Sequence, residues 1–195
     1  MVTLLDVLRV VHVVNAILMA WPFYALVATN QRARLGPPLG DRADTLVENV
    51  IKNRTIPCFV FQATALVTGL ALIRLRGLGF NVLLVNPALG LKFALLLLIA
   101  ALLAYVSLGL QPQIDALFAK AAGSPVPSEL VHEISGLRAR RKRMASICFF
   151  CVITMAILGV QAWAPFPFWL NAVLLLALLL FTMRAYRSVT PFGWA

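Results

Sequence analysis

Polar and ionisable side chains recur every three residues in the first apolar stretch of the chain. Asp6, Arg9, His12 and Asn15 lie within residues 4–29, which are otherwise mostly apolar. Residues three apart are neighbours on a helix, so these side chains form a slowly winding stripe. Charged groups inside a membrane helix are costly, usually face protein or water, and often mark functional sites. An imidazole beside a guanidinium can ligate a metal, bind an anionic ligand or relay protons.

The composition predicts a chain that crosses a membrane several times. Of 195 residues, 62% are hydrophobic and 12% are charged, with a mean hydropathy of +0.91. Soluble domains are only about half apolar. The length allows about four to six spans in a single domain, residues 1–195, with no separate soluble domain. The net charge of +10 comes from basic residues that lie mainly between the apolar runs, where orientation and headgroup contact are their usual roles. Nucleic acid is therefore not an expected partner.

Apolar runs bounded by Pro, Gly and charged residues predict an all-α, polytopic membrane helix bundle with five transmembrane helices. Pro22 predicts a kink in the first span. Two loops carry predicted interfacial helices, one capped by Asp41 and ending at Asn53, the other running from an N-cap at Ser128 to Arg143. The predicted spans are residues 4–29, 56–73, 87–110, 144–163 and 167–181.

The distribution of Lys and Arg predicts the orientation of the five spans. Thirteen of the 17 basic residues fall on one side, whereas the other side has only Arg74 and Arg76, and Arg9 and Lys92 lie within spans. The positive-inside rule then places the N-terminus outside and the C-terminus in the cytoplasm of a bacterial inner membrane. The thirteen are Arg32, Arg34, Arg42, Lys52, Arg54, Lys120, Arg138, Arg140, Arg141, Lys142, Arg143, Arg184 and Arg187.

This orientation predicts a polar pocket in the outer half of the membrane. His12 lies about eight residues into an inward-running span, or roughly 12 Å, and Lys92 lies about five residues into the third span, or roughly 8 Å. Arg9 lies at the mouth of this pocket. The other predicted pocket residues are Asp6, Asn15, Thr68, Gln161 and Asn171.

Haem b or another porphyrin suits such a pocket, although the spacing does not demand it. His12 can ligate haem iron or copper, and Arg9 and Lys92 can pair propionates. His132, the other histidine, falls on the cytoplasmic side, so the two cannot ligate one haem within one chain. Two alternatives stay open. In the first, Arg9 and Lys92 extend to lipid headgroups while His12 forms a hydrogen bond with a neighbouring helix. In the second, these residues form a proton or ion path. Neither alternative includes a cofactor.

Basic residues just before the fourth span form a predicted site for anionic lipid headgroups, because several cations at a membrane surface attract acidic lipids. The same span contains Cys148 and Cys151, whose CxxC spacing lies in an apolar helix, where packing is the expected role. The headgroup residues are Arg138, Arg140, Arg141, Lys142 and Arg143.

Three segments carry a resemblance to a known group of proteins. They read LRVVHVVNAILMAW in the first span, LVTGLALI closing the second and LGLKFALLLL opening the third. This outline resembles the small bacterial membrane proteins around the HemJ type of protoporphyrinogen oxidase, an outline shared by copper-resistance D (CopD) domains. The resemblance covers about residues 4–163 and implies the helical fold and a haem or porphyrin function at His12 and Lys92. The chain departs from the usual Trp-Leu-His-x-Lys pattern, reading Leu-Gly-Leu-Lys at residues 89–92, and its fifth span is additional.

Three classes of function remain compatible with the sequence. The first is a haem- or porphyrin-binding protein, as an enzyme or a cofactor carrier. The second is a non-catalytic accessory subunit of a larger respiratory or photosynthetic complex. The third is a copper or small-solute transporter. The expected partners are the lipid bilayer with its anionic lipids and, for an accessory subunit, other membrane chains or a second copy.

Overall fold

The computed structural model describes residues 3–34, 39–52, 55–121, 126–162 and 164–187. In this part of the chain the regular structure is helical, without strands, and five helical segments are long and apolar enough to cross a membrane. The predicted all-α membrane bundle is confirmed. Asn53 and Trp163, at which two predicted elements end, and the basic loop residue Arg54 lie outside the described residues, as do residues 1–2 and 188–195.

The helices follow one another with short connections. They are α1 (Leu4–Leu18), α2 (Trp21–Arg34), α3 (Arg42–Lys52), α4 (Thr55–Leu75), α5 (Val82–Val85), α6 (Pro87–Tyr105), a π-helical turn (Val106–Leu110), α7 (Gln111–Lys120), α8 (Ser128–Gln161) and α9 (Phe168–Arg187).

The first predicted span is divided into α1 and α2. The break falls at Met19 and Ala20, close to the kink predicted at Pro22, which occupies the second position of α2. Proline is tolerated there because the first helical N–H groups have no partner within the helix. The division lets α1 and α2 pack against different neighbours, α1 on α4 and α2 on α8.

The third predicted span continues past its expected end at Leu110. A π-helical turn joins α6 to α7, and the N–H of Gln111 bonds the carbonyl of Val106. Pro112 follows at the start of α7. Proline in a regular helix would clash with the carbonyl four residues earlier, and a wider turn relieves this clash without ending the helix. The helix therefore extends to Lys120.

The predicted interfacial helix at residues 128–143 is wrong as a separate element. It forms the first half of α8, one helix of 34 residues that continues into the fourth span. Backbone hydrogen bonding does not depend on side-chain polarity, so the change from basic to apolar residues at Arg143 does not interrupt it. Ser128 is also not the N-cap. Pro127 holds that position and makes no side-chain cap.

The short helix α3 agrees with its prediction at its start. Asp41 Oδ1 accepts the backbone N–H of Asp44 at 2.7 Å, as an N-cap does. Leu46 and Val50 on the apolar side of α3 are exposed. At the other end of the chain, α9 runs to Arg187, beyond the predicted limit at residue 181. The short α5, Val82–Val85, lies where only a turn is predicted.

Helix α8 packs on α2, α6 and α9 and forms the centre of the bundle. Small side chains on α4 and α8 let α6 approach closely. We use "charged end" for the end of the bundle that holds α3, α7 and residues 128–143 of α8, and "opposite end" for the end where α1 and α6 begin. The central cluster contains Met19, Ala65, Leu96, Ile99, Cys148, Cys151 and Val152.

Candidate functional site

His12 lies near the opposite end and bonds directly to α4. Its Nδ1 is 2.7 Å from Oγ1 of Thr68. The sequence predicts that His12 and Thr68 lie at the same depth in the membrane. The ring also lies beside Gly69, where a Cβ would be 3.5 Å from Cε1 of His12. The helices α1 and α4 are therefore joined at the imidazole, which is half-buried.

The surrounding hydrogen bonds assign the imidazole tautomer. Thr68 Oγ1 donates to the carbonyl of Thr64 at 2.6 Å, so its oxygen is left to accept from Nδ1–H of His12. With the proton on Nδ1, the lone pair stays on Nε2. Among the described residues, Nε2 of His12 has no hydrogen-bond partner. This is the arrangement of a metal-ligating histidine, whose second nitrogen is fixed by a neighbouring acceptor.

Lys92 on α6 lies close enough to His12 for their charges to interact. Its ammonium rests against Gly159 of α8, where a Cβ would be 3.1 Å from Nζ. Within the described residues Lys92 makes no hydrogen bond or ion pair, although it is partly buried. Burying a charge is costly unless it is paired. The position therefore favours an anionic ligand.

Arg9 lies about one turn before His12 on α1, and Asp6 lies nearly two turns before it. Asp6 completes a capping box with Thr3, whose hydroxyl donates to Oδ2 at 2.6 Å. Arg9 Nη1 is 3.4 Å from Oδ1 of Asp6, and both side chains are more than a third exposed. An exposed ion pair contributes little to stability. Both side chains are thus located at the rim of the candidate site.

The remaining predicted pocket residues have different surroundings. Asn15 is buried and donates from Nδ2 to the carbonyl of Phe61 at 2.8 Å, which holds α1 on α4. Gln161 bonds both the N–H and the carbonyl of Phe166, each at 3.1 Å, and so closes the turn before α9. Asn171 has a buried Oδ1 without a partner among the described residues. The structure thus joins His12 to Thr68 and brings Lys92 within range of the imidazole's charge, while Gln161 serves the turn.

A porphyrin fits this set of donors on chemical grounds. A bound haem would need a protein side chain to hold its iron and cations to pair its propionates. His12 Nε2 offers the former and Lys92 the latter. Within the described part of the chain, no group of three or more His, Cys, Asp or Glu side chains is arranged to hold a metal ion.

A second polar cluster, which the sequence does not predict, fills the charged end. Arg138 forms a two-pronged ion pair with Asp44, at 2.8 and 3.0 Å, and reaches Glu48 at 2.9 Å. Arg141 bonds both oxygens of Glu48, and Arg32 bonds Asp44 at 2.8 Å. Asp44 is 1% exposed, so the cluster is buried. We call these five residues the charged clasp, because they hold α2, α3 and α8 together.

The charged clasp keeps its carboxylates ionised. Burial alone would raise the pKa of Glu48, but the hydrogen bond and charge of Arg141, the amide of Gln111 and the charge of Arg138 outweigh it and lower the pKa to about 2. Burial likewise opposes ionisation of Asp44, and Arg138 and Arg32 overcome it, so its pKa is lowered. Each buried carboxylate of the clasp therefore has a guanidinium as its neighbour.

The clasp changes the interpretation of the predicted headgroup site. Arg138 and Arg141 point into the protein and bond Asp44 and Glu48, so they do not extend to lipid, contrary to the prediction. Lys142 lies over the ring of Tyr186, with Nζ 5.1 Å from the centroid. Arg140 and Arg143 are exposed. A spacing of three places two basic residues on the inner face of α8, but their acidic partners lie about 90 residues earlier and carry no local signal.

Comparison with known proteins adds no relative to this geometry. No family model, curated protein or solved structure matches the chain.

Proposed function

We propose that this chain is a multi-pass protein of the bacterial cytoplasmic membrane that binds haem or a related porphyrin at His12 and Lys92, in the manner of HemJ-type proteins. The observation that carries the proposal is the open Nε2 of His12, with Nδ1 bonded to Thr68 at 2.7 Å. Bound there, haem would supply an iron centre capable of electron transfer.

The chain's own residues have separate roles in this proposal. Thr68 fixes the imidazole ring and its tautomer, which leaves Nε2 of His12 available to hold the haem iron. The ammonium of Lys92 would hold a propionate, which would offset the cost of its partial burial. Gly159 leaves room for that ammonium, since a side chain there would crowd Nζ. Arg9 adds positive charge at the rim.

The unequal distribution of basic residues supports the orientation in this proposal. The charged end holds most of the Lys and Arg residues, so the positive-inside rule puts it in the cytoplasm. The N-terminus and the haem site then lie toward the outside, and the C-terminus lies inside.

Visible spectroscopy of the purified protein tests the proposal. We expect a Soret band, either as purified or after titration with haem. The substitution His12→Ala is expected to abolish the band, and Lys92→Met to weaken haem retention by removing a propionate partner. The control is His132→Ala, whose spectrum should match the unaltered protein because His132 lies at the charged end.

A protein that binds neither haem nor free porphyrin when these are supplied in excess would overturn the proposal. So would an unchanged spectrum for His12→Ala. A correctly folded His12→Ala protein that loses a co-purifying chain, with no spectrum in the original, would support the accessory-subunit alternative instead.

A further inference from the structure

A cleft between α7 and the first half of α8 lies at the charged end, outside the charged clasp and at the other end of α8 from Gly159, which contacts Lys92 of the His12 site. Its volume is about 500 Å³, within the range of small-molecule sites. Its polar and basic lining comes from both helices. The lining includes Gln113, Lys120, His132, Glu133, Gly136 and Arg140.

The two walls of the cleft are antiparallel helices in a fixed register. Arg141 donates to Oε1 of Gln111 at 2.7 Å, which anchors the start of α7 beside α8. Lys120 lies nine residues beyond Gln111, and His132 lies nine residues before Arg141, so each is roughly 14 Å from that bond along its helix. Lys120 and His132 therefore face each other at one end of the cleft, while Arg140 lies at the other.

The basic residues of this cleft differ from those of the clasp. Arg138 and Arg141 are each bonded to carboxylates. Lys120, His132 and Arg140 form no hydrogen bond or ion pair with the residues that the structure describes. Glu133 is the one acidic residue in the described lining. The carboxylates of α3 are thus committed to one face of α8, and its other face keeps unmatched positive charge.

The floor of the cleft leaves space for a ligand between these cations. His132, Gly136 and Arg140 are four residues apart and share one face of α8. A Cβ added at Gly136 would meet nothing within 4 Å, so no side chain fills the middle of the cleft. The cleft is an open concave surface surrounded by a guanidinium, an ammonium and an imidazole. These hydrogen-bond donors can together recognise a phosphate group.

We propose that the α7–α8 cleft binds a phosphate group through Arg140, Lys120 and His132. Arg140 lies about one turn from the apolar half of α8, so a lipid headgroup can enter the cleft from that end. Lys120 and His132 lie at the other end, from which a soluble phosphate ester can enter, and in both cases the phosphate lies between the three side chains above Gly136. The shared chemistry is the phosphate, and both sources can supply it. This site is independent of the haem proposal, because its residues make no contact with the His12 site.

Thermal unfolding of the full chain in lipid nanodiscs tests the cleft. In discs of phosphatidylcholine alone, a saturable rise in unfolding temperature with added inorganic pyrophosphate indicates a soluble phosphate ligand. A rise only when phosphatidylglycerol is included in the discs indicates a headgroup. Both results support a phosphate site, and no change with either probe would overturn it.

Charge substitutions make the test specific to this cleft. Arg140→Gln and Lys120→Gln should each weaken binding of the active probe about fivefold, the effect of one cation near a phosphate. Glu133→Gln should tighten it, because the substitution removes a like charge from the lining. The matched control is Arg143→Gln, an exposed arginine of the same helix outside the cleft. Equal weakening by Arg143→Gln and Arg140→Gln would show nonspecific attraction and overturn the proposal.

Discussion

The hydroxyl of Thr68 determines which nitrogen of His12 is available. It accepts from Nδ1 at 2.7 Å while donating to the carbonyl of Thr64 at 2.6 Å. Both bonds occur in the low-dielectric interior of a helix pair, where a fixed dipole orients a partner strongly. Thr68 is therefore a positioning residue for the imidazole.

Replacing Thr68 by Val is expected to weaken haem binding about tenfold, as loss of the partner behind a ligating histidine typically does. Titration of the purified variant with haem, followed by absorbance, measures this. The matched control is Thr64→Val. Thr64 Oγ1 donates to the carbonyl of Val60 at 2.8 Å, within its own helix, so this control should bind normally. Equal loss in both variants would assign the effect to α4 as a whole.

Glu48 makes the charged clasp sensitive to acid. Because folding lowers its pKa from 4.5 to about 2, ionised Glu48 stabilises the folded state at pH values above 4.5, and this stabilisation is lost as the pH falls toward 2. We expect the unfolding temperature to fall across that range. In Glu48→Gln the fall should be smaller.

The same variant should be less stable near neutral pH by about 3 kcal/mol or more, because two arginines lose a buried partner. Glu129→Gln, at the exposed start of α8, serves as the control and should follow the profile of the unaltered protein. If Glu48→Gln were as stable as that control at neutral pH, the clasp would not contribute to folding.

Single residues were predictable where the signal is local. Asp41 caps α3 three residues from its partner, as its sequence neighbourhood indicates. The depth of Thr68 relative to His12 follows from counting along two spans. The pairing of Arg138 with Asp44 joins residues 94 apart. No spacing rule identifies such a partner, so the inward direction of this arginine required the structure.

At the level of elements, apolar length predicts where helices cross a membrane but not where they end. The third and fourth spans both continue beyond their apolar runs, to Lys120 and back to Ser128. Their extensions bond each other through Gln111 and Arg141. Tertiary contacts outside the apolar layer therefore help these helices to continue. Composition alone predicted that each helix ends where its apolar run ends.

A distance measurement tests the continuity of α8. Spin labels at Glu129→Cys and Val160→Cys, with the native cysteines replaced, are 31 residues apart, or about 46 Å along a continuous helix. A right-angle bend at Arg143, as for a helix lying on the membrane, would shorten this to roughly 33 Å. We expect the longer distance in electron–electron double resonance. The shorter distance would instead support a separate interfacial helix at residues 128–143.

For the whole molecule, five membrane crossings would place the chain ends on opposite sides of the membrane, as the proposed orientation requires. Impermeant thiol reagents applied to intact cells test the orientation, with single cysteines introduced into a chain lacking its own. Cysteines at the positions of Arg34, Arg140 and Ala195 should stay unlabelled until the cells are opened. A cysteine in place of the exposed Phe80, at the opposite end, is the control and should react at once. The reverse pattern would invert the molecule and put the His12 site inside.

The charged clasp also has a consequence for how the chain assembles during synthesis. Asp44 has Arg32 as a neighbour only 12 residues away, so it can be neutralised as soon as both leave the ribosome. The arginine partners of Glu48 lie 90 and 93 residues later, and at about 5–20 residues per second they arrive roughly 5–20 seconds afterwards. During this interval two spans are made while Glu48 awaits its guanidinium groups. Defects at Arg141 should therefore leave insertion of these spans intact and impair only the final closure of the bundle.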